Sequence, residues 1–469
     1  MSVAAGVIRG NSDAAVGHRH FPAVTESVVR QYDVPGPRYT SYPTAPEWSG
    51  VFRPADFLGK LSEASRVLAP LSLYFHLPFC RQLCTYCGCN VIVAKDRKAA
   101  DDYIWHLARE MDLLADRLGT RRSVSQIHWG GGTPTFLTEA QIVRLWSEIA
   151  ERFQILPGAE AAIEIDPVET TPCQLDLLRA LGFNRLSFGV QDFDRTVQTA
   201  VHRIQTAEET RSMLEQARNL GFRGVNFDLI YGLPFQTPQT WRATIDQVIA
   251  MRPDRTAVYS FAYVPEARPN QRALPAEALP RGTSKLDLFR IAFDAFLDAG
   301  YRQVGMDHFA LPDDELSRAQ AERRLTRNFQ GYTVRAASDG VAFGVTGISD
   351  VQGAYAQNVR PLRKYYQAIE NGVPATDKGI LLTAGDIRRR RTINDLMCHF
   401  AVDLGPDGLT YFAPEIEELK HYQQSGFANV QGSCLELTPL GRVFVRNVAM
   451  LFDSRLRQRQ GGREFSGTV

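Results

Sequence analysis

The chain has 469 residues, of which 44% are hydrophobic and 22% are charged, as in an ordinary globular protein. Its 53 Lys and Arg residues nearly balance 52 Asp and Glu residues, and the net charge of +1 argues against a general nucleic-acid or anionic-membrane binder. No run approaches the roughly 18 apolar residues of a membrane span. Residues 1–20 lack the apolar core of a secretory signal. We therefore expect a cytoplasmic protein that begins with a disordered tail.

Predicted strands and helices alternate along most of the chain. Apolar residues at helical spacing predict a helix over 99–117. Thr138 with Gln141, and Thr206 with Glu209, form capping boxes that mark further helix starts. The predicted strands are 72–77, 123–129, 161–166, 185–190, 224–232, 255–263 and 301–309, and the helices begin near 99, 138, 171, 206, 237 and 284.

At least six strand–helix units with short connections indicate a parallel sheet with right-handed crossovers. We predict an α/β fold, a partial or complete (βα) barrel, with an open doubly wound sheet as the alternative. Polar residues at the carboxyl ends of successive strands favour the barrel, because that rim holds the reactive groups of such barrels.

Helical patterns dominate after about residue 370. The predicted helical segments are 384–400, 413–424 and 439–457. We divide the chain into an N-terminal extension and lid segment (1–50), a barrel domain (51–370) and a smaller, mostly helical C-terminal domain (371–469).

Four of the seven cysteines fall within ten residues: Cys80, Cys84, Cys87 and Cys89. The odd count and the large core argue against a disulfide framework. Thiolates in a Cys-x3-Cys-x2-Cys pattern directly after a strand predict a metal site instead. Structural zinc sites usually need four ligands, often as two CxxC pairs, and a second pair is absent. Three thiolates on an iron–sulfur cluster would leave one iron open. Spacing alone does not decide which three cysteines bind.

Other candidate functional residues follow the predicted strands. Glycines at 130–132 let a backbone approach a ligand closely, although a tight βα turn explains them equally well. Glu164 is a strand-end carboxylate that needs a cationic or donor partner if it is buried. His76 and His308 lie at strand ends, where each could act as an acid or base or simply pack. The arginine run 388–391 is interpreted as a solvated or ion-paired helix face.

Longer motifs extend beyond the cysteines. They are PGPRYTSYPTA (35–45), YFHLPFCRQLCTYCGCN (74–90), HWGGGTPTFL (128–137), EIDP (164–167), NRLSFGVQDF (184–193), DLIYGLP (228–234), GMDHFA (305–310), NFQGYT (328–333) and GRVFVRNVAMLFD (441–453). Through them the chain resembles the radical S-adenosylmethionine (SAM) superfamily and, more closely, the oxygen-independent coproporphyrinogen III oxidase family. The resemblance runs from about residue 28 to the end and implies a barrel of the radical SAM type.

The resemblance also implies the cofactors and their ligands. Cys80, Cys84 and Cys87 would hold a 4Fe–4S cluster whose open iron is chelated by one SAM, and Cys89 would not be a ligand. Two SAM molecules are expected. The first would contact Tyr74, Tyr86, Gly131, Gly132, Thr133 and Glu164, with further cofactor contacts at Ala262 and Ile348. The second would contact Gln191, Arg203 and Asp228.

The implied activity is the oxidative decarboxylation of coproporphyrinogen III to protoporphyrinogen IX. A 5′-deoxyadenosyl radical would abstract hydrogen from two propionate side chains, and each would lose CO2 to leave a vinyl group. Arg38 is a candidate partner for a substrate carboxylate, but no catalytic residue is assigned. We expect a monomer that takes electrons from a flavodoxin or ferredoxin. The alternatives are a haem chaperone, another haem-handling radical SAM relative and, from another class, a redox-sensing nucleic-acid binder, which the neutral charge disfavours.

Overall fold

The computed structural model describes residues 20–334, 337–458 and 465–468, so most of the predicted tail lies outside the described residues. The strands are β1 (Leu71–Leu77), β2 (Phe79–Cys80), β3 (Ile92–Val93), β4 (Ser123–Gly131), β5 (Gln154–Ile165), β6 (Arg185–Gln191), β7 (Val225–Tyr231), β8 (Arg255–Ser260), β9 (Arg302–Val304), β10 (His308–Ala310), β11 (Thr326–Asn328), β12 (Gly331–Thr333), β13 (Gly340–Phe343), β14 (Ile348–Val351), β15 (Ala354–Asn358), β16 (Thr376–Leu381), β17 (Ala401–Asp403), β18 (Ala428–Gln431) and β19 (Cys434–Leu437).

The helices lie between and after these strands. They are α1 (Glu26–Tyr32), α2 (Pro54–Ala64), α3 (Ala99–Leu118), α4 (Glu139–Arg152), α5 (Pro172–Ala180), α6 (Arg195–Ala200), α7 (Ala207–Asn219), α8 (Pro238–Met251), α9 (Gly282–Asp298), α10 (Glu315–Ala321), α11 (Leu362–Glu370), α12 (Ala384–His399), α13 (Gly405–Tyr411), α14 (Ala413–Gln424), α15 (Pro439–Val443), α16 (Val445–Leu451) and α17 (Ser454–Gln458). No helix in these described ranges is long and apolar enough to cross a bilayer.

One large sheet organises the molecule. Its strand order is β16-β15-β14-β13-β1-β4-β5-β6-β7-β8-β10-β9, and the pairs from β13 to β8 are all parallel. Side chains from β1 and β4 to β8 line one internal cavity, so the sheet curves around it. In the described part of the chain the end strands β16 and β9 do not pair with each other. The predicted α/β fold is confirmed, and the barrel is a partial one.

The parallel strands form where the sequence pattern predicts them, because their alternate residues are buried in one continuous apolar core. Helix starts are also as predicted. Thr138, Thr171, Thr206 and Thr237 each accept a hydrogen bond from a backbone N–H in the first helical turn. These caps stop each strand-to-helix connection at a defined residue, and thereby fix which residues face the rim of the barrel.

The predicted strand 301–309 is wrong, because the chain turns back in its middle. Gly305 has a φ of +56°, a left-handed conformation that suits glycine, and the chain reverses there from β9 into β10. β10 then pairs antiparallel with both β9 and β8, which ends the parallel series.

The predicted helical segment 439–457 is helical, but it is divided into three short helices, α15 to α17. One cause is Asp453. Its carboxylate accepts hydrogen bonds from the N–H groups of Arg455 and Leu456 at 3.0 and 2.9 Å, which starts α17 afresh.

The C-terminal helices surround a second core. This core is completed by a three-stranded sheet of order β17-β19-β18 and by Tyr39 and Tyr42 from the N-terminal segment. The predicted domain boundaries stay predictions. β16 lies beyond residue 370 and still pairs with β15 in the main sheet.

Candidate functional site

A cavity of about 510 Å³, here called the rim cavity, lies at the carboxyl ends of the parallel strands. It is lined by twelve of the fourteen sequence-predicted site residues: Cys80, Cys84, Tyr86, Cys87, Gly131, Gly132, Thr133, Glu164, Gln191, Arg203, Asp228 and Ala262. Tyr74 and Ile348 line a different cavity of about 360 Å³. Their predicted contact with SAM stays a prediction.

The three predicted cysteine ligands lie on the loop that follows β1. Cys80 ends β2, which pairs with β3 and closes the base of the loop. The Cys80 Sγ lies 3.5 Å from the Thr133 Oγ1. Beyond it, the N–H of Cys87 donates to the carbonyl of Cys84 at 3.1 Å, and the N–H of Cys89 donates to the Cys87 Sγ at 3.4 Å. All four thiols are free, and Cys89 is the most exposed of them.

Two residues that sequence analysis missed hold this loop in place. The side-chain amide of Asn270 lies 3.3 Å from the carbonyl oxygen of Cys84, 3.1 Å from that of Thr85 and 3.0 Å from that of Cys87. The amide of Gln271 donates at 3.1 Å to the carbonyls of both Tyr86 and Ala262. Both residues lie in a single 3-10 turn (Pro269–Ala273) between β8 and α9, which is too short for a periodic pattern to mark it.

The glycine turn after β4 is required first by packing within the protein. A Cβ on Gly130 would lie 2.6 Å from the Glu164 carboxylate, and one on Gly131 would lie 2.6 Å from the His76 ring. A Cβ on Gly132 would lie 2.7 Å from the carbonyl oxygens of both Pro78 and Phe79, which are backbone atoms that cannot move aside. The turn therefore lets the cysteine loop lie directly against β4.

Glu164 presents a carboxylate to the rim cavity. Its Oε1 lies 3.2 Å from the His128 Nε2, and its Oε2 accepts a hydrogen bond of 3.0 Å from the N–H of Gly131. Burial opposes ionisation, but the hydrogen bond and charge of His128 outweigh it and lower the pKa of Glu164. The side chain is 42% exposed, and that exposure faces the cavity. An ionised carboxylate is thus held ready for a cationic ligand.

Arg203 forms a second charged side of the cavity. Its guanidinium lies 3.1 Å from the Asp166 carboxylate and donates to the carbonyl of Gly189 at 2.7 Å. Its Nε is buried without a hydrogen-bond partner. Gln191 beside it has a φ of +66°, at a point where the pairing of β6 with β7 shifts register. Such a strained conformation in a non-glycine residue is typical of functional sites.

Asp228 lies in the middle of β7 and lines the rim cavity. It accepts hydrogen bonds from Ser187 at 2.9 Å and from Asn226 at 2.8 Å. Burial, together with the nearby charge of Glu164, raises the pKa of Asp228 to about 6. Asp228 and Glu164 also line a smaller cavity of about 140 Å³, here called the middle cavity, inside the curved sheet.

The donor set fits an iron–sulfur cluster. Three partly buried free thiols line one cavity, and thiolates are the usual ligands of such clusters. Burial raises the pKa of Cys80 to about 11 and also raises that of Cys84, which Arg203 opposes. Hydrogen bonding from Cys89 lowers the pKa of Cys87 to about 7. Within the described residues no three acidic, histidine or cysteine side chains are grouped as a single metal ion requires.

The histidines and the arginine run have mostly structural partners. The His76 ring nitrogens lie 3.1 Å from the Tyr74 hydroxyl and 3.0 Å from the Asn90 carbonyl, which fits a packed ring. His308 lies 2.7 Å from Asp307 and lines the middle cavity. Arg389 pairs with Glu415 at 2.8 Å, as the ion-paired interpretation of the run expects. Arg38 lines the rim cavity, where it donates to the carbonyl of Ser260.

Comparisons with known proteins agree with this geometry. Residues 74–248 match the Radical SAM superfamily. The chain is 42% identical to the oxygen-independent coproporphyrinogen III oxidase of Pseudomonas aeruginosa, over 92% of this chain and 95% of that protein. It is 42% identical to the Escherichia coli K12 protein of the same name, over 94% of this chain and 98% of that one. A solved structure titled as coproporphyrinogen III oxidase from Escherichia coli, a radical SAM enzyme, superposes with a TM-score of 0.86 and 43% identity, covering 89% and 97% of the two chains.

Proposed function

The chain belongs to the oxygen-independent coproporphyrinogen III oxidase family of the radical SAM superfamily, and from this premise we propose how its own residues contribute to the oxidation of coproporphyrinogen III. The protein is a radical SAM oxidoreductase that converts coproporphyrinogen III to protoporphyrinogen IX by two oxidative decarboxylations. The observation that carries the assignment is the rim cavity. One space holds the three-cysteine loop, the glycine turn and polar residues of β5, β6 and β7.

Cys80, Cys84 and Cys87 would hold the 4Fe–4S cluster. Bound there, the cluster and SAM supply the one-electron chemistry that generates a hydrogen-abstracting radical. The protein holds the cysteine loop rigid, because Asn270 and Gln271 tie its carbonyls to the segment after β8. A rigid loop fixes where the cofactor lies against the substrate, which is the main contribution a protein makes to cofactor chemistry.

Glu164 would bind the amino group of the first SAM. Its ionised carboxylate is oriented by His128 and by the N–H of Gly131, and its free face is turned to the cavity. Gly131 to Thr133 would place backbone beside the methionine portion of that SAM.

A second SAM would lie between Gln191, Arg203 and Asp228. Arg203 lines the rim cavity beside Asp166, and its guanidinium is the cationic group there that would attract a SAM carboxylate. Each substrate is decarboxylated twice, and a second SAM would supply the radical for the second decarboxylation.

The terminal segments would close the cavity from solvent. Arg446 donates to the carbonyl of Pro37 at 2.9 Å and to that of Gly467 at 2.8 Å, so it joins the N-terminal segment to the chain end. Arg38, the next residue, lines the rim cavity. Water and oxygen quench radicals, and a covered site would exclude both. We further propose a cytoplasmic monomer that takes electrons from a flavodoxin or ferredoxin.

An anaerobic assay tests the function. The reconstituted protein is incubated with SAM, a reductant and coproporphyrinogen III, and the oxidised porphyrins and 5′-deoxyadenosine are separated by chromatography. We expect protoporphyrin together with 5′-deoxyadenosine from the wild type, and neither from Cys84→Ala. Cys173→Ala is the matched control, since Cys173 is an exposed cysteine on α5, and it should keep full activity. An intact cluster that cleaves SAM without forming protoporphyrin would instead favour a haem chaperone or another haem-handling relative.

A further inference from the structure

The 360 Å³ cavity that contains Tyr74 and Ile348 is lined by three arginines: Arg327, Arg390 and Arg391. We call it the arginine cavity. Among the described residues, Asp350 is the only acidic residue in its wall, so this lining is cationic. Arg390 is neutralised by Asp350, to which it forms a two-pronged ion pair. Arg391 forms no ion pair within the described residues, and the acidic neighbour of Arg327, Asp307, lies outside the cavity wall, so both arginines leave the wall itself cationic.

Arg327 is buried with few polar partners, and its guanidinium lies 4.6 Å from the centre of the Tyr332 ring. Its side chain is 5% exposed, and its Nε and Nη1 atoms are buried with no hydrogen-bond acceptor. The Asp307 carboxylate lies 3.8 Å from Nη1, which is too far for a hydrogen bond. A buried guanidinium that leaves N–H donors unpaired is costly. An anion in the arginine cavity would offset part of this cost by placing a negative charge beside the guanidinium, whose side chain lines the cavity wall.

The arginine cavity adjoins the reaction site. It shares Ser72, Gln126, Asn328, Gln330 and Thr333 with the middle cavity, and the middle cavity shares Glu164, Ser187, Asp228 and Tyr259 with the rim cavity. The middle cavity therefore adjoins both the arginine cavity and the rim cavity. A tetrapyrrole with several propionates has the size and the charge for this arrangement.

We propose that Arg327, assisted by Arg391, binds a substrate propionate carboxylate in the arginine cavity while another propionate reacts at the rim cavity. This inference rests on the proposed function, because it takes coproporphyrinogen III as the ligand. Arg327 would be a specificity residue, since a buried guanidinium left unpaired selects against a substrate without a carboxylate at that position.

Equilibrium dialysis of coproporphyrinogen III against the anaerobic holoenzyme without SAM tests the proposal independently of turnover. We expect Arg327→Gln to weaken binding by about 10- to 100-fold, the usual effect of losing hydrogen bonds to a charged group. Arg391→Gln should weaken it several-fold. Arg324→Gln is the matched control, because Arg324 is an exposed arginine three residues away that pairs with Glu322, and it should bind like the wild type.

Substrate chemistry supplies a second arm. The wild type should prefer coproporphyrinogen III over its tetramethyl ester by at least about 10-fold, and Arg327→Gln should lose most of that preference. The KM for SAM should stay within about twofold. If Arg327→Gln fails to keep its cluster, Arg391→Gln and the ester comparison in the wild type show whether the arginine cavity binds a substrate carboxylate. Wild-type binding by both variants, or an ester bound as tightly as the acid, would overturn the proposal. Tight binding without protoporphyrin formation would overturn the proposed function but not this subsite.

Discussion

The rim cavity and the arginine cavity each adjoin the middle cavity, and they are built in opposite ways. Most of the rim cavity comes from short, contiguous motifs at the ends of successive parallel strands. The arginine cavity is assembled from β1, the β11–β12 hairpin, β13, β14 and α12, which lie far apart in the chain. A contiguous motif concentrates packing constraints in a few residues, whereas a dispersed site spreads them. We therefore expect substitutions in the rim cavity to disturb structure and activity together, and those in the arginine cavity to affect substrate binding alone.

The largest contrast should come from two glycine substitutions. Gly132→Ala would force a Cβ to within 2.7 Å of backbone oxygens in the cysteine loop, so the loop must move. A shift of about 1 Å in a catalytic group can cost about 100-fold in rate, and we expect at least that loss, with reduced iron content. Gly340 lines the arginine cavity, and a Cβ there would meet no atom within 4 Å. Gly340→Ala should keep its cluster, and equal damage by both substitutions would contradict the contrast.

A smaller effect is expected at Asn270, which holds the cysteine loop from outside it. Asn270→Ala removes an amide that lies within 3.0 to 3.3 Å of three loop carbonyls. Losing such contacts typically costs about 1–3 kcal/mol, which here destabilises the loop locally. We expect the cluster to be lost to an iron chelator about 10-fold faster, followed by its visible absorbance. Asn219→Ala, at an exposed site ending α7, is the matched control, and equal rates in both variants would remove the proposed role.

Sequence analysis anticipated the rim cavity much better than its surroundings. Cys80, Gly132 and Glu164 follow strands whose period is plain, and parallel strands end at a common rim, so their proximity follows from topology. Asn270 and Arg327 carry no such signal. Asn270 acts through tertiary contacts made by a single 3-10 turn, and Arg327 through those of a short hairpin. The turn at Gly305 was missed for the same reason, since the apolar run on either side resembles one strand.

Asp228 lines both the rim cavity and the middle cavity, and the pH dependence of its charge tests how well it is shielded from water in the rim cavity. Its pKa is raised to about 6, above the unfolded value near 3.8, so its burial costs stability once the pH exceeds the unfolded pKa. Asp228→Asn removes that cost. We expect the variant to be about 1–3 kcal/mol more stable than the wild type at pH 7.5, with the advantage shrinking as the pH falls through 6 toward 4.

Urea unfolding of the cluster-loaded proteins without SAM at both ends of that range measures the effect. Asp246→Asn is the control, because Asp246 is an exposed residue that pairs with Arg242, and it should show little pH dependence. A wild type that matches Asp228→Asn at every pH would mean that water from the rim cavity already solvates Asp228.

The smallest effect concerns the arginine run on α12. The run could attract the anionic substrate by its total charge, or single arginines of it could bind the substrate inside the arginine cavity. Arg390 and Arg391 line the arginine cavity, but Arg388 is not among its wall residues and lies 4.5 Å over the Tyr411 ring. Arg388→Ala should cost about 0.5–1 kcal/mol of stability, the usual worth of an exposed cation–π contact. Coproporphyrinogen III binding should be unchanged, in contrast to Arg391→Gln. Equal losses of binding at both positions would mean that the whole run attracts the anionic substrate by its charge, and a steep salt dependence of that binding would then accompany them. Loss at Arg391 alone would place recognition in the cavity rather than on the helix surface.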